Sequence, residues 1–179
     1  MSREDTPKTR KWLGDFRGGM MFYLGCHLLD LVMQFMGVPD EVIPLNASSG
    51  LDGIGSEDLG CAALRYPHGI SLLRAHATEL GGGDRRQLVI LGEKATTEIR
   101  PLEIFHPAEG ERYLFTSEKR EVTITDGERH TEQFSSPPFH RYRAMMEAFA
   151  AMVRGEAENP NTPDYELTLF ETLFKCCGV

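Results

Sequence analysis

The chain has 179 residues, enough for one domain that buries roughly 70% of its unfolded surface. Lys plus Arg number 19 against 27 Asp plus Glu, a formal charge of −8 at pH 7 with no basic run, which argues against nucleic acid and anionic membrane as partners. The N-terminus, MSREDTPKTRKW, is charged and shows no apolar stretch of a secretory signal. Four cysteines (Cys26, Cys61, Cys176, Cys177) have neither C-x-x-C nor zinc spacing, so reduced structural thiols in a cytoplasmic protein are expected.

In chain order, residues 1–11 are polar and contain a proline, and read as a flexible tail. Trp12, Leu13 and Phe16 bring the chain to the core. From Gly18 to Gly37 nearly every residue is apolar, which predicts one buried helix with Gly37 as C-cap and Pro39 beyond it. At ~1.5 Å per residue this stretch reaches only about 27 Å, short of a ~30 Å hydrocarbon core, so it does not read as a membrane span. Its polar exceptions, Tyr23, His27, Asp30 and Gln34, fall at i, i+4, i+7, i+11 and form one stripe on a 3.6-residue helix. Such a stripe in a core is hydrogen-bonded internally or opens into a cleft. For His27 and Asp30 both a mutually satisfied pair and a site role stay open. Tyr23 could pack with its hydroxyl bonded nearby, and Gln34 reads as a helix-end residue near the surface.

Strands follow. Glu41–Ala47 contains Pro44 and suits a sheet edge. A Gly/Ser/Asp loop spans Asn46–Asp58. Leu59–Tyr66 and Ile70–Leu80 flank Pro67-His68-Gly69, a hairpin signal. Arg86–Leu91 and Thr96–Arg100 form a second hairpin about Gly92-Glu93-Lys94-Ala95. Glu103–His106, Arg112–Thr116, Arg120–Thr125 and Arg129–Phe134 continue the period-two pattern of an antiparallel sheet. The period then changes: Phe139–Arg154 reads as an amphipathic helix. A last helix runs from Asp164 to about Cys177, with Thr162 as N-cap and Pro163 at N1. The order predicts an α+β domain, an open and mostly antiparallel sheet with helices on one face. His106, His130 and His140 are scattered with no carboxylate at ligand spacing, so no metal is expected. Arg74, His76, Arg85 and Arg86 read chiefly as solvated sheet and turn residues.

Gly18-Gly19, then Gly25-x-His27-x-x-Asp30, resembles the motif of the glucose–fructose oxidoreductase/inositol dehydrogenase/rhizopine-catabolism (Gfo/Idh/MocA) oxidoreductases. Their pattern is a glycine pair or triplet followed by Asp-x-Gly-x-His-x-x-Asp on one helix. Tyr66-Pro67-His68-Gly69, Gly92-Glu93-Lys94, Asn159-Pro160 and Thr162-Pro163 agree in order, and the resemblance covers most of residues 12–177. It implies the substrate-binding, dimerising C-terminal half of such an enzyme, a glyceraldehyde-3-phosphate-dehydrogenase-like C-terminal domain with a dimer contact on the free sheet face. The implied reaction is hydride transfer between NAD or NADP and a sugar, polyol or related alcohol or ketone. His27 would be the acid/base or substrate-binding group, a role its reference pKa of ~6.5 suits. Asp30 would set the tautomer of that ring, and Tyr23 would stand at the third site position.

Departures accompany the matches. Tyr23 stands where the family has Asp, and a phenol of reference pKa ~10 donates rather than serving as a carboxylate base. Only 17 residues precede Gly18, and no strand–GxGxxG–helix unit is read in the chain. Gly81-Gly82-Gly83 has the wrong spacing for one. Lys94 lies in a turn, away from where the family's catalytic Lys belongs. The expectation is a single substrate-binding and dimerisation domain, inactive alone, whose cofactor is NAD or NADP in the full-length enzyme only and is not bound by this chain. Its partners would be a sugar- or polyol-like molecule and a second copy of itself, with no nucleic acid and no membrane. The other class is a non-catalytic small-molecule-binding or oligomerisation module derived from the same family.

Overall fold

The structure, a computed structural model, describes residues 2–15, 17–107 and 114–179. In chain order it forms α1 (Pro7–Leu13), a π-helical turn (Met21–Gly25), α2 (Cys26–Met36), β1 (Glu41–Pro44), a 3-10 turn (Leu51–Gly53), β2 (Leu59–Tyr66) and β3 (Gly69–His76). There follow β4 (Leu88–Leu91), β5 (Ala95–Ile99), β6 (Ile104–Phe105), β7 (Leu114–Thr116), β8 (Glu118–Thr125), β9 (Glu128–Ser135), β10 (Phe139–His140), α3 (Arg143–Val153) and α4 (Pro163–Cys177). Helices and antiparallel strands are both present, as the α+β reading expects, with the strands divided among three sheets. Where chain length suggested one domain, the residues cluster into two compact units, Met1–Gly82 with Asn161–Val179, and Gly83–Pro160.

In the first unit β2 is central between β1 and β3, so β1 with its Pro44 takes the edge. The β2–β3 hairpin pairs Leu59 with His76 through to Tyr66 with Gly69. Alternation sends Gly60, Ala62, Leu64 and Tyr66 inward from β2, and Leu73 and Ala75 inward from β3. They meet a core cluster that includes Met20, Met21, Leu28, Leu29, Met33, Leu173, Cys176 and Cys177. The glycines at this junction are close-approach residues. A Cβ on Gly60 would lie 2.7 Å from the Met21 amide nitrogen, and one on Gly18 would collide with Cys177 Sγ. Gly18 and Gly19 also take φ of +80° and +40°, backbone that L side chains rarely adopt. Glu57 closes the helix start, its carboxylate accepting from the Gly18 amide at 2.9 Å and its carbonyl from the Met20 amide at 2.8 Å.

Three expectations change here. The helix from Gly18 is interrupted by the π turn, over which the Met21 side chain folds against Gly25. Nor is α2 enclosed all round: Leu28, Leu29 and Met33 are buried while Phe35 is 60% and Met36 44% exposed. The N-terminal residues are not a tail. Arg3 and Asp5 donate amides to His76 and Ala77 carbonyls at 2.9 and 2.8 Å. Thr6 caps α1 by accepting from the Thr9 amide, with Pro7 opening the helix, a cap–proline signal that the polar composition masks. Buried Arg10 then pairs with Asp52 and the Asp5 carbonyl.

At the other end of the chain the expectation holds. Thr162 Oγ1 accepts from the Tyr165 amide at 3.2 Å, Pro163 starts α4, and Gly178 ends it at φ 76°. Burial pushes the Cys176 and Cys177 thiols up to about 12 and about 11, and all four cysteines are free thiols.

In the second unit β4-β5-β8-β9 form one antiparallel sheet and β10-β7-β6 another. Asp126 and Gly127 take positive φ in the β8–β9 turn, as a two-residue hairpin requires. Lys94 sits in the β4–β5 turn, closed by the Gly92 amide donating to the Ala95 carbonyl at 2.9 Å. The helix read from Phe139 begins only at Arg143, because Phe139 and His140 pair with Phe115 and Leu114 of β7. Glu103 accepts from Arg141 Nε at 2.7 Å, and the Arg141 guanidinium lies 4.2 Å from the Phe115 ring centre. Phe16, and Arg112 and Tyr113 of the expected Arg112–Thr116 strand, lie outside the described residues. Among the described residues no helix is long and apolar enough to cross a membrane.

Candidate functional site

The stripe on the Gly18–Gly37 segment is divided among different neighbours. At its start Tyr23, in the π turn, is half-buried. Its ring meets Trp12 edge-on at 5.2 Å between centroids, and its hydroxyl accepts from Arg3 Nη1 at 3.4 Å. π turns recur at functional sites, and this one holds the Tyr23 ring against the Trp12 end of α1.

His27, in the first turn of α2, is exposed and has no hydrogen-bond partner among the described residues. Its neighbours Leu28 and Leu29 are buried, which anchors the backbone that carries it. An imidazole on a fixed helix and open to solvent can exchange a proton with a bound alcohol or carbonyl.

Asp30 takes a partner other than the one expected. Its Oδ1 accepts from the Tyr165 hydroxyl at 2.5 Å and from Gln34 Nε2 at 3.4 Å, while Gln34 Nε2 also donates to Tyr165 Oη at 2.9 Å. The short phenol–carboxylate bond is charge-assisted. Burial, and then Asp30 itself, push the Tyr165 hydroxyl up to about 12, so it stays a donor at neutral pH. The carboxylate expected to orient the His27 ring therefore ties α2 to α4. Gln34, read as a surface residue, belongs to this cluster. Tyr165 was legible only as the third residue of a capped helix, since a contact between residues 135 apart leaves no local trace.

Asp58 is 1% exposed and accepts from the amide and hydroxyl of Ser49 at 2.7 and 2.6 Å, which folds the Gly/Ser loop back on itself. Lys11, Asp15, Arg17, Asp52 and Glu57 line an open cleft of about 790 Å³ beside this loop, and none of Tyr23, His27 or Asp30 lines it. Arg74 Nη2 lies 3.2 Å from His76 Nδ1 and 3.3 Å from Glu79, a charged cluster on the sheet. Burial and then Arg74 hold His76 below the usual imidazole range. Among the described residues no group of three or more His, Cys, Asp or Glu is placed to hold a metal ion.

Comparison with known proteins gives a consistent family. The chain resembles a Yersinia pestis protein classed as an oxidoreductase (16% identity, TM-score 0.71, covering 99% of this chain and 52% of that one). It is similar to a Desulfitobacterium hafniense protein classed as an NADPH-dependent oxidoreductase (13%, 0.73, 99% and 49%). A Klebsiella pneumoniae protein classed as an oxidoreductase also matches (20%, 0.62, 98% and 48%). At these identities the likeness concerns the fold, and the chain spans about half the length of the structures it matches. No curated protein matches the sequence. The family model described as "Oxidoreductase family, C-terminal alpha/beta domain" matches residues 4–167, nearly the whole chain and all of the His27 helix, so the chain belongs to the Gfo/Idh/MocA oxidoreductase family as its C-terminal domain.

Proposed function

We propose that this chain is the substrate-side half of a cytoplasmic NAD(P)-dependent oxidoreductase that acts on a sugar, polyol or related alcohol or ketone. The observation that carries the reading is His27: solvent-exposed, unpartnered among the described residues, and mounted on a helix whose opposite face is buried. His27 passes the hydroxyl proton, Tyr23 donates to a substrate oxygen, and Asp30 acts through the α2–α4 tie. The nicotinamide supplies the hydride chemistry when a dinucleotide-binding domain holds it against the substrate, so the 179-residue chain alone is inactive. By strand alternation and register the exposed Val89, Leu91 and Ile124 share one face of the four-stranded sheet, and they support self-association through that face.

The test is turnover at 340 nm in a protein carrying a dinucleotide-binding domain ahead of this chain. His27→Ala should lower kcat on the order of 10²-fold or more, with the thermal midpoint nearly unchanged. Unchanged turnover removes His27 from the site.

A second reading, a non-catalytic binding or oligomerisation module, is favoured by two observations. A phenol occupies the family's carboxylate position at Tyr23, and Asp30 is engaged by Tyr165 instead of His27. It predicts saturable ligand binding with no turnover in the complemented protein.

A further inference from the structure

Trp12, Tyr23 and Arg3 form one continuous surface in the first unit. The Trp12 ring is 46% exposed and meets the Tyr23 ring edge-on at 5.2 Å. The Arg3 guanidinium lies 5.9 Å from the Tyr23 ring centre and sends Nη1 to its hydroxyl at 3.4 Å. Arg3 is itself held by Asp5, whose Oδ1 is 2.7 Å from Nε, and Asp5 is 2% exposed against 37% for Arg3. The carboxylate is thus behind the guanidinium and the guanidinium faces outward.

The hydrogen-bond polarity of this surface is one-sided. Arg carries only donors. Because the Tyr23 oxygen accepts from Arg3, its own proton is left to donate, and no acceptor for it is found among the described residues. A carboxylate at position 23, as in the family motif, would be acceptor-only and would read a hydroxyl proton. Tyr23 beside Arg3 inverts that, reading acceptor oxygens and adding a positive charge. Arg N–H groups make their strongest hydrogen bonds with anionic oxygens, a carboxylate among them. Beside this donor pair the indole, 46% exposed, presents apolar aromatic surface of the kind that takes the C–H face of a pyranose ring.

We infer that Trp12, Tyr23 and Arg3 form a subsite for a sugar acid: the ring stacks on Trp12 and its carboxylate is taken by Tyr23 Oη and Arg3. This deepens the oxidoreductase reading by naming its substrate class, and it rests on that reading for the chemistry at His27 but not for the binding itself.

Trp12 is the chain's single tryptophan, so indole fluorescence of the 179-residue chain reports on the subsite without cofactor or turnover. Titration with D-glucuronate should change the emission saturably, with a dissociation constant at least tenfold below that for D-glucose. Tyr23→Phe, which keeps the ring, and Arg3→Gln should each remove most of that preference, and Tyr23→Asp should reverse it. Glucose binding as tightly as glucuronate, or neither sugar giving a saturable change while acrylamide still quenches Trp12, overturns the inference. His27-dependent turnover of neutral sugars by the complemented protein, without glucuronate preference in the titration, sinks the subsite and leaves the oxidoreductase reading standing. The stated glucuronate preference without turnover does the reverse.

Discussion

The two units bury their side chains very differently. Fifteen of the buried hydrophobic residues form one cluster, all of them in the first unit. In the second unit Phe115 is the one buried hydrophobic residue among those described. Its helix α3 leaves Met145, Met146, Phe149 and Val153 between 55% and 71% exposed. The first unit is therefore held by packing around the His27 helix. The second has its strand ladders and the Arg86–Glu103–Arg141 ion cluster, with the apolar side chains of α3 exposed. Under the proposed function the proton-transfer group, His27, sits on the packed unit, where the backbone cannot shift without opening a cavity.

The sharpest way to break this contrast is to compare truncations in the two units. Leu29→Ala, at a fully buried position against the sheet, should cost about 3–4 kcal/mol in urea unfolding. A loss under about 1 kcal/mol would mean the first unit has no tight core. Gly18→Ala should cost about 2 kcal/mol or more, because φ +80° and the Cys177 sulfur both oppose a Cβ there. An unchanged denaturation midpoint would refute the close approach of α4 to the helix start.

Tyr165→Phe should cost about 1–2 kcal/mol, the worth of a hydrogen bond to a charged group at a partly exposed position. The same residue has a pH signature. Its folded pKa is raised from 10 to about 12, so its contribution is complete below pH 10 and falls away as pH rises through about 12. The buried thiols of Cys176 and Cys177 decline over an overlapping range. The difference between wild type and Tyr165→Phe, measured at pH 9 and pH 11.5, isolates the tyrosine, and this difference should shrink at the higher pH. The smallest effect belongs to the second unit: Phe149→Ala, 60% exposed, should change stability by under about 0.5 kcal/mol. A loss of several kcal/mol would show that the α3 face is covered in solution.

Much of this was legible locally. Leu59–Tyr66 was read with its observed bounds, because alternating burial and a Pro-His-Gly turn are local signals. Thr162-Pro163 marked the start of α4 for the same reason, since an N-cap and its first-turn proline act within four residues. The same signal at Thr6-Pro7 was lost against a charged background. The Gly18-Gly19 pair announced a tight junction without saying against what. Only the tertiary structure supplies Cys177 and Glu57 as the reason.

For the site, the sequence by itself determined that Tyr23, His27 and Asp30 fall on the one apolar Gly18–Gly37 stretch, with His27 and Asp30 a turn apart on α2, while the π turn that holds Tyr23 left no signal in the spacing. Their partners were decided only in three dimensions. Arg3 and Trp12 reach Tyr23 because the N-terminal residues bridge to β3 and α1 folds back. Tyr165 takes Asp30 because α4 packs beside α2. A stripe fixes which side chains face one way along a helix. What each of them meets depends on chain closures across up to 135 residues, and no local spacing encodes those.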